Sequence, residues 1–224
     1  MQINKLNVAF KDKVLFKDFS LSLDNKKVTC ILGPSGVGKT TLLNVLVDNV
    51  KYSGIVTEKE KFAYVFQNSR LIESISVLKN LEFVLDKKDY VNIDSVLKAL
   101  EIEDCKYKYP RELSGGQASR VAIARAILYN PQIILMDEPF KDLDFVLSKK
   151  TIDLFRNLVK ENNIGSIYVT HNIDEALSIA DRIIVLNGNP VEVALDVEVI
   201  SDHNNLASKE LNDVRQKIYS ALGI

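Results

Sequence analysis

One octapeptide constrains this chain more than anything else in it. Gly33-Pro34-Ser35-Gly36-Val37-Gly38-Lys39-Thr40 follows the apolar run Val28-Thr29-Cys30-Ile31-Leu32 and precedes Thr41-Leu42-Leu43-Asn44-Val45-Leu46, which reads as a helix. This is the P-loop pattern, Gly-x4-Gly-Lys-Thr, in the strand, loop and helix setting it requires. Its glycines let successive backbone N–H groups turn inward around an anion, and the positive end of the following helix adds to the attraction. Lys39 is placed to neutralise the β and γ phosphates of a nucleotide, and the Thr40 hydroxyl to bind magnesium. The candidate nucleotide contacts are Gly33, Pro34, Ser35, Gly36, Val37, Gly38, Lys39, Thr40 and Thr41.

A second apolar run, Gln132-Ile133-Ile134-Leu135-Met136, ends in Asp137-Glu138-Pro139. Acids at the carboxyl end of a buried strand emerge where open α/β sheets bind ligands. Asp137 can hold magnesium through water, and Glu138 can polarise the attacking water. Alone, such a pair reads as a solvated strand end; beside a P-loop it reads as the other half of a phosphate site. Further on, Leu113-Ser114-Gly115-Gly116-Gln117 opens a helical pattern from Ala118 to Tyr129 that carries Arg120 and Arg125. Ser114 suits an N-cap, and the two glycines leave helix amides open to a second anion. Taken alone, this run reads as an ordinary capped surface helix.

Composition narrows the partners. The 224 residues hold 29 Lys+Arg against 30 Asp+Glu, so no global charge draws the chain to nucleic acid, while 46% hydrophobic content suffices for the core of one folding unit. Apolar runs such as Ile133 to Met136 fall far short of the roughly 20 residues that a spanning helix needs. The amino terminus, Met1-Gln2-Ile3-Asn4-Lys5-Leu6, lacks the pattern of a secretory leader, which points to the cytoplasm. Cys30 and Cys105 stand far apart without partners at metal-ligand spacing and read as reduced thiols.

Alternation and short apolar runs predict strands at Ile3 to Ala9, Phe19 to Leu23, Lys27 to Leu32, Phe62 to Phe66, Gln132 to Met136, Ser166 to Thr170 and Arg182 to Asn187. Helical spacing predicts helices at Lys39 to Val47, Val77 to Leu85, Ile93 to Leu100, Gly116 to Tyr129, Leu147 to Glu161 and Ile173 to Ala180. The tail adds a strand at Val191 to Val199 and an amphipathic helix at Lys209 to Leu222, read as packed on the domain surface. The fold class is α/β: a parallel sheet covered by helices, an antiparallel β layer from the early strands, and a helical insertion at about residues 68 to 115.

In its setting between P-loop and Asp-Glu strand, Leu113-Ser114-Gly115-Gly116-Gln117 resembles the signature of ATP-binding cassette (ABC) ATPases, and the other motifs follow that family's order over roughly residues 1 to 188. Gln67, after Phe62 to Phe66, matches the Q-loop. His171 in Val169-Thr170-His171-Asn172 matches the switch histidine, Asp144 in Lys141-Asp142-Leu143-Asp144 the D-loop, and Phe10 the adenine-stacking aromatic. The resemblance implies a P-loop NTPase with a RecA-like parallel sheet core, an antiparallel β subdomain and a helical subdomain at about 68–130. It forms a single ABC ATPase domain over 1–224, with a C-terminal strand and helix at about 190–224.

By the same resemblance the chain uses ATP and Mg2+, with Lys39, Gln67, Glu138 and His171 as catalytic residues and Thr40, Gln67 and Asp137 around the metal. Two ATPase subunits, identical or different, would pair head to tail. Ser114, Gly115, Gly116 and Gln117 of one would then contact the γ-phosphate held by the other, with Asp144 linking the two sites. Each residue has a chemistry of its own: a neutral amide for Gln67, a hydrogen-bond donor for His171, a ring face for a purine on Phe10. An aromatic flanking a strand also reads as core packing.

A motor without a spanning segment implies that the permease is a separate polypeptide, and the resemblance further implies an extracytoplasmic solute-binding protein in the same system and a peripheral place on the inner face of the cell membrane. Phe66-Gln67-Asn68-Ser69-Arg70-Leu71, Ser76-Val77-Leu78-Lys79-Asn80-Leu81 and the tail from Asp196 resemble the nitrate/sulfonate/taurine importer ATPases, a look that thiamine-precursor importers share. Alternatives are an ABC ATPase driving a non-import membrane complex, or one in DNA repair or translation. Lys39 and Ser114 stand too close together for the coiled-coil insertion of the repair class. A GTPase would need Asn-Lys-x-Asp, and neither Asn4-Lys5 nor Asn25-Lys26 continues that way. One departure from the family is Phe140-Lys141-Asp142 ahead of Leu143-Asp144, where small residues are usual and interface charge would change.

Overall fold

The computed structural model describes residues 1–11, 13–57, 60–86, 92–141, 143–199 and 208–224; Asp142 of the D-loop pattern lies outside the described residues. Strands β1 (Gln2–Phe10), β2 (Lys13–Ser22) and β4 (Ser53–Thr57) make an antiparallel sheet in the order β2-β1-β4. A larger sheet runs β5 (Phe62–Val65), β6 (Ile133–Asp137), β7 (Gly165–Val169), β3 (Val28–Leu32), β8 (Arg182–Asn187) and β9 (Glu192–Glu198). Its strands are parallel except for β9, which pairs antiparallel to β8.

Strand periodicity divides the interior into two cores. From β3, Cys30 and Leu32 enter one core and Ile31 the other; from β6, Ile134 and Met136 part from Ile133 and Leu135; from β8, Ile183 and Val185 part from Ile184 and Leu186. Both faces are therefore apolar, the mark of a covered parallel sheet. One face carries helices α2 (Val77–Glu82), α3 (Ile93–Ala99), α4 (Gly115–Leu128), α5 (Phe145–Glu161), α6 (Ile173–Ile179) and α7 (Lys209–Leu222). The other carries α1 (Lys39–Leu46) and the antiparallel sheet through Ile3, Leu6, Phe16 and Leu42. A fully buried Ile or Leu contributes about 1.5–3 kcal/mol, so a one-residue slip of a central strand, which exchanges the two faces, is strongly disfavoured.

The predicted strands at Lys27 to Leu32, Gln132 to Met136, Ser166 to Thr170 and Arg182 to Asn187 land on β3, β6, β7 and β8. Two early expectations need correction. The strand expected at Phe19 to Leu23 begins at Lys13, because Leu15 and Phe16 are both buried and irregular register between β1 and β2 breaks the alternation there. Edge strand β4 was not expected: Ser53-Gly54-Ile55-Val56-Thr57 has little burial of its own and is held by pairing with β1. The helix expected from Val77 to Leu85 ends at Glu82, and the one expected from Leu147 starts at Phe145, where Asp144 caps it. Helix α7 buries Leu211 and Ile218, and its Arg215 Nη2 bonds Asp174 Oδ1 on α6 at 2.7 Å.

Candidate nucleotide site

The loop between β3 and α1 folds as an anion cradle because its glycines permit it. At Gly33 (φ 156°) a Cβ would sit 2.5 Å from the Leu186 carbonyl oxygen, so the loop can lie against β8 only with glycine there. Gly38 starts α1 without a side-chain cap, leaving first-turn amides for an external acceptor. The buried Lys39 ammonium donates to the carbonyls of Gly33 (2.7 Å) and Pro34 (3.1 Å). Burial lowers its pKa, while the carboxylates of Glu138 and Asp137 act the other way. A cavity of about 350 Å³ lies over the loop, bounded by Glu138 and by Phe10, Lys13 and Leu15. Phe10 is 49% exposed, so its ring is open to stacking.

Parallel strands β3 and β6 bring the P-loop and the acidic strand end together. Thr40 Oγ1 donates to Asp137 Oδ1 at 3.0 Å, and the Tyr64 hydroxyl donates to Asp137 Oδ2 at 3.3 Å. Burial raises the Asp137 pKa against the pull of these two bonds. Tyr64 is raised by its own burial and by Asp137, so its hydroxyl stays a donor. A hydroxyl and a carboxylate at hydrogen-bond distance are the hard oxygen donors that magnesium takes, so these residues fit that ion.

Glu138 is held in a left-handed backbone conformation (φ 47°) by its N–H bond to the Val169 carbonyl at 2.9 Å, a strained geometry typical of functional positions. One carboxylate oxygen meets His171 Nδ1 at 3.2 Å and the other Lys141 Nζ at 3.5 Å. Burial pushes the Glu138 pKa up, but the His171 hydrogen bond and the charges of His171, Lys141 and Lys39 outweigh it, and the carboxyl lies below its ordinary value. The loop bearing His171 is pinned by Glu175, whose Oε2 accepts from the hydroxyls of Tyr168 (2.7 Å) and Thr170 (2.8 Å).

The signature and the D-loop lie at the starts of two packed helices. Ser114 and Gln117 close a capping box: the Gln117 N–H donates to Ser114 Oγ (3.2 Å), and the Ser114 N–H to Gln117 Oε1 (3.0 Å). A Cβ on Gly116 would crowd the Leu147 side chain of α5, so glycine there leaves that side chain its place against α4. Asp144 caps α5 by accepting the Leu147 N–H at 3.0 Å. Gln67 is exposed and lines a separate cavity of about 390 Å³ with Gly115, Ser119 and Pro139, outside the lining of the P-loop cavity.

The structure thus unites Phe10, the P-loop, Asp137, Glu138 and His171, and sets Gln67 beside the first turn of α4. Tyr64 and Glu175 escaped the sequence reading, and Lys141 entered it as a D-loop departure rather than as a partner of Glu138. Of the two that escaped, Tyr64 alone left a trace, as a polar ring in a strand that pairs with the one ending at Asp137.

The sequence matches the ABC transporter family over residues 16–141. It is 36% identical over 227 residues to the aliphatic sulfonates import ATP-binding protein SsuB 1 of Paracoccus denitrificans, an alignment covering 99% of this chain and 93% of that protein. To the sulfate/thiosulfate import ATP-binding protein CysA of Synechocystis sp. it is 32% identical, covering 90% of this chain and 62% of that one. A bacterial ABC transporter cassette with a dimeric structure superposes at a TM-score of 0.76 and 27% identity, covering 90% of this chain and 99% of the other. The fold is also that of a metal-chelate type ABC transporter in an inward-facing conformation, with a TM-score of 0.78 at 23% identity over 99% of this chain and 88% of that one. Aligned almost end to end with one such protein and matching the family's pattern over more than half its length, this chain belongs to the ABC transporter family as an ATP-binding subunit.

Proposed function

We propose that the chain binds and hydrolyses ATP with magnesium, as one ABC ATPase domain over residues 1–224. Two such cassettes would work head to tail on a separate membrane permease that imports a small solute. The observation that carries this reading is the Thr40–Asp137 hydrogen bond, which joins the P-loop to the acidic strand end beside Glu138.

In this reading the phosphates lie along Gly33 to Thr41 and the adenine on Phe10. Thr40 and Asp137 would hold magnesium, which when bound would supply charge neutralisation at the transferred phosphate, while Gln67 lines a separate cavity beside the first turn of α4. Lys39 leaves its loop carbonyls for the phosphate oxygens, exchanging one set of acceptors for another. Glu138, ionised at neutral pH, orients the attacking water in line. His171 donates to Glu138 from Nδ1 and, when protonated at both nitrogens, to the γ-phosphate from Nε2. Ser114 to Gln117 of the second cassette close the site over the γ-phosphate, with Asp144 at the seam.

The proposed solute belongs to the nitrate/sulfonate/taurine class, delivered by an extracytoplasmic binding protein. The sulfonate name of the 36% identical relative supports that choice. Among the described residues no helix is long and apolar enough to cross a membrane, and the proposed place is the inner face of the membrane, against the permease. Glu138→Gln tests the chemistry. ATP binding persists, turnover falls by about 10²–10⁴-fold, and an ATP-dependent dimer accumulates in size-exclusion chromatography. Wild-type turnover in that variant removes Glu138 from its role.

A further inference from the structure

Tyr64 belongs to no motif, yet it touches the acidic end of the site. Among the described residues each oxygen of the Asp137 carboxylate has one protein donor: Thr40 on Oδ1 at 3.0 Å and Tyr64 on Oδ2 at 3.3 Å. Together the two donors fix the tilt of the carboxylate. The Tyr64 ring stacks on Phe66, with centroids 4.1 Å apart and planes 16° from parallel. The Arg70 guanidinium lies 3.6 Å from the same Phe66 centroid. Two groups so close to one ring centre cannot share a face, so Phe66 sits between them.

The far end of this stack is anchored as well. Arg125, on α4, donates to the carbonyls of Arg70 (3.1 Å) and Ser69 (3.2 Å). Residues 66–70, which include Gln67, are therefore tied to the signature helix through their backbone and to Asp137 through two stacked rings. The Tyr64–Asp137 bond is longer than the 2.7–2.8 Å or so that O–H···O bonds prefer, so a shift of a few tenths of an ångström in the stack would tighten or break it. Core packing explains an aromatic ring at position 64, but a phenylalanine would pack equally well. The hydroxyl is what points to a role at Asp137.

We propose that Tyr64 is a positioning residue for the Asp137 carboxylate, and that the stack Tyr64–Phe66–Arg70 makes its hold depend on where loop 66–70 lies. The inference rests on the reading of Asp137 as a magnesium-holding group. It implies that displacing the loop bearing Gln67 changes how well the site takes the metal, without any contact between that loop and Asp137.

The test is a magnesium titration of the full chain at a fixed concentration of a fluorescent ATP analogue, reading binding rather than turnover, beside thermal melts. Tyr64→Phe keeps the stack and removes the hydroxyl. It should raise the half-saturating magnesium concentration about 10-fold, while metal-free nucleotide affinity and melting temperature stay the same. Arg70→Gln should give a smaller rise, and the double variant should need no more magnesium than Tyr64→Phe, because the loop acts through the hydroxyl. An unchanged requirement in Tyr64→Phe overturns the positioning role, and effects that multiply in the double variant overturn the dependence on the loop. Asp137→Asn reads the premise by itself: a wild-type magnesium requirement there removes the metal reading, whereas a lost requirement there with none lost in Tyr64→Phe rejects only the inference.

Discussion

The P-loop half of the molecule and the signature half settle their polar side chains in opposite ways. Around the P-loop, Thr40 reaches Asp137 across 97 positions of sequence and Glu138 meets His171 from another strand, so the groups are held by one another. At the starts of α4 and α5, Ser114 and Gln117 cap one helix, and Asp144 caps the other. A site whose members bond one another across the fold is assembled by folding alone. A site whose motif side chains Ser114, Gln117 and Asp144 bond within their own helices, while Arg125 farther along α4 holds loop 66–70, leaves helix-start amides for a ligand, which suits a surface whose ligand arrives on another chain.

The largest expected effect would break or establish that division of labour. Lys39→Ala removes the one buried ammonium of the cradle and should cut hydrolysis by about 10²–10³-fold. Ser114→Arg should do comparable damage by blocking the opposite face. Mixing the two inactive proteins should restore ATP hydrolysis in a phosphate-release assay, since a mixed pair holds one site made of an intact P-loop and an intact signature. No recovery on mixing would place both halves of the working site in one chain.

A smaller effect sharpens the P-loop side. Glu138 lies below its ordinary pKa: burial pushes it up, but the His171 hydrogen bond and the nearby positive charges more than compensate. A carboxyl lowered in this way contributes stability that is present above its unfolded pKa and lost as pH falls through the folded value. Removing the histidine takes away the strongest opposing cause. His171→Ala should therefore move the acid limb of the kcat profile to higher pH as well as lower its maximum. An acid limb that stays in place would mean that the imidazole does not set the charge of Glu138.

How much of this was legible in the sequence also follows the division. The P-loop, Asp137, Glu138 and the central strands could be read because contiguous residues carry them: Val28 to Leu32 are all buried, and alternation sends Val28, Cys30 and Leu32 to one core and Ile31 to the other. Edge strand β4 could not, since Ser53 to Thr57 take their structure from β1 rather than from an apolar pattern. Irregular pairing hid the first half of β2 for a similar reason, with adjacent Leu15 and Phe16 both turned inward. Tyr64 and Glu175 matter through contacts that only the tertiary arrangement creates, and one sequence shows a contact of that kind only when a motif names it.

The smallest effect separates capping from ligand contact on the signature side. Ser114→Ala leaves the Gln117 N–H without its acceptor and should cost about 1 kcal/mol, or about 2–4 °C in melting temperature for a chain of this size. Ser114→Asn restores an acceptor that caps as well as serine does, so its melting temperature should return to the wild-type value. Hydrolysis decides between the roles. If the asparagine variant melts normally yet hydrolyses ATP slowly, the compact hydroxyl at this helix start acts on something outside its own helix. If activity returns with stability, Ser114 is only a cap, and the opening to the opposite phosphate belongs to the glycine amides beside it.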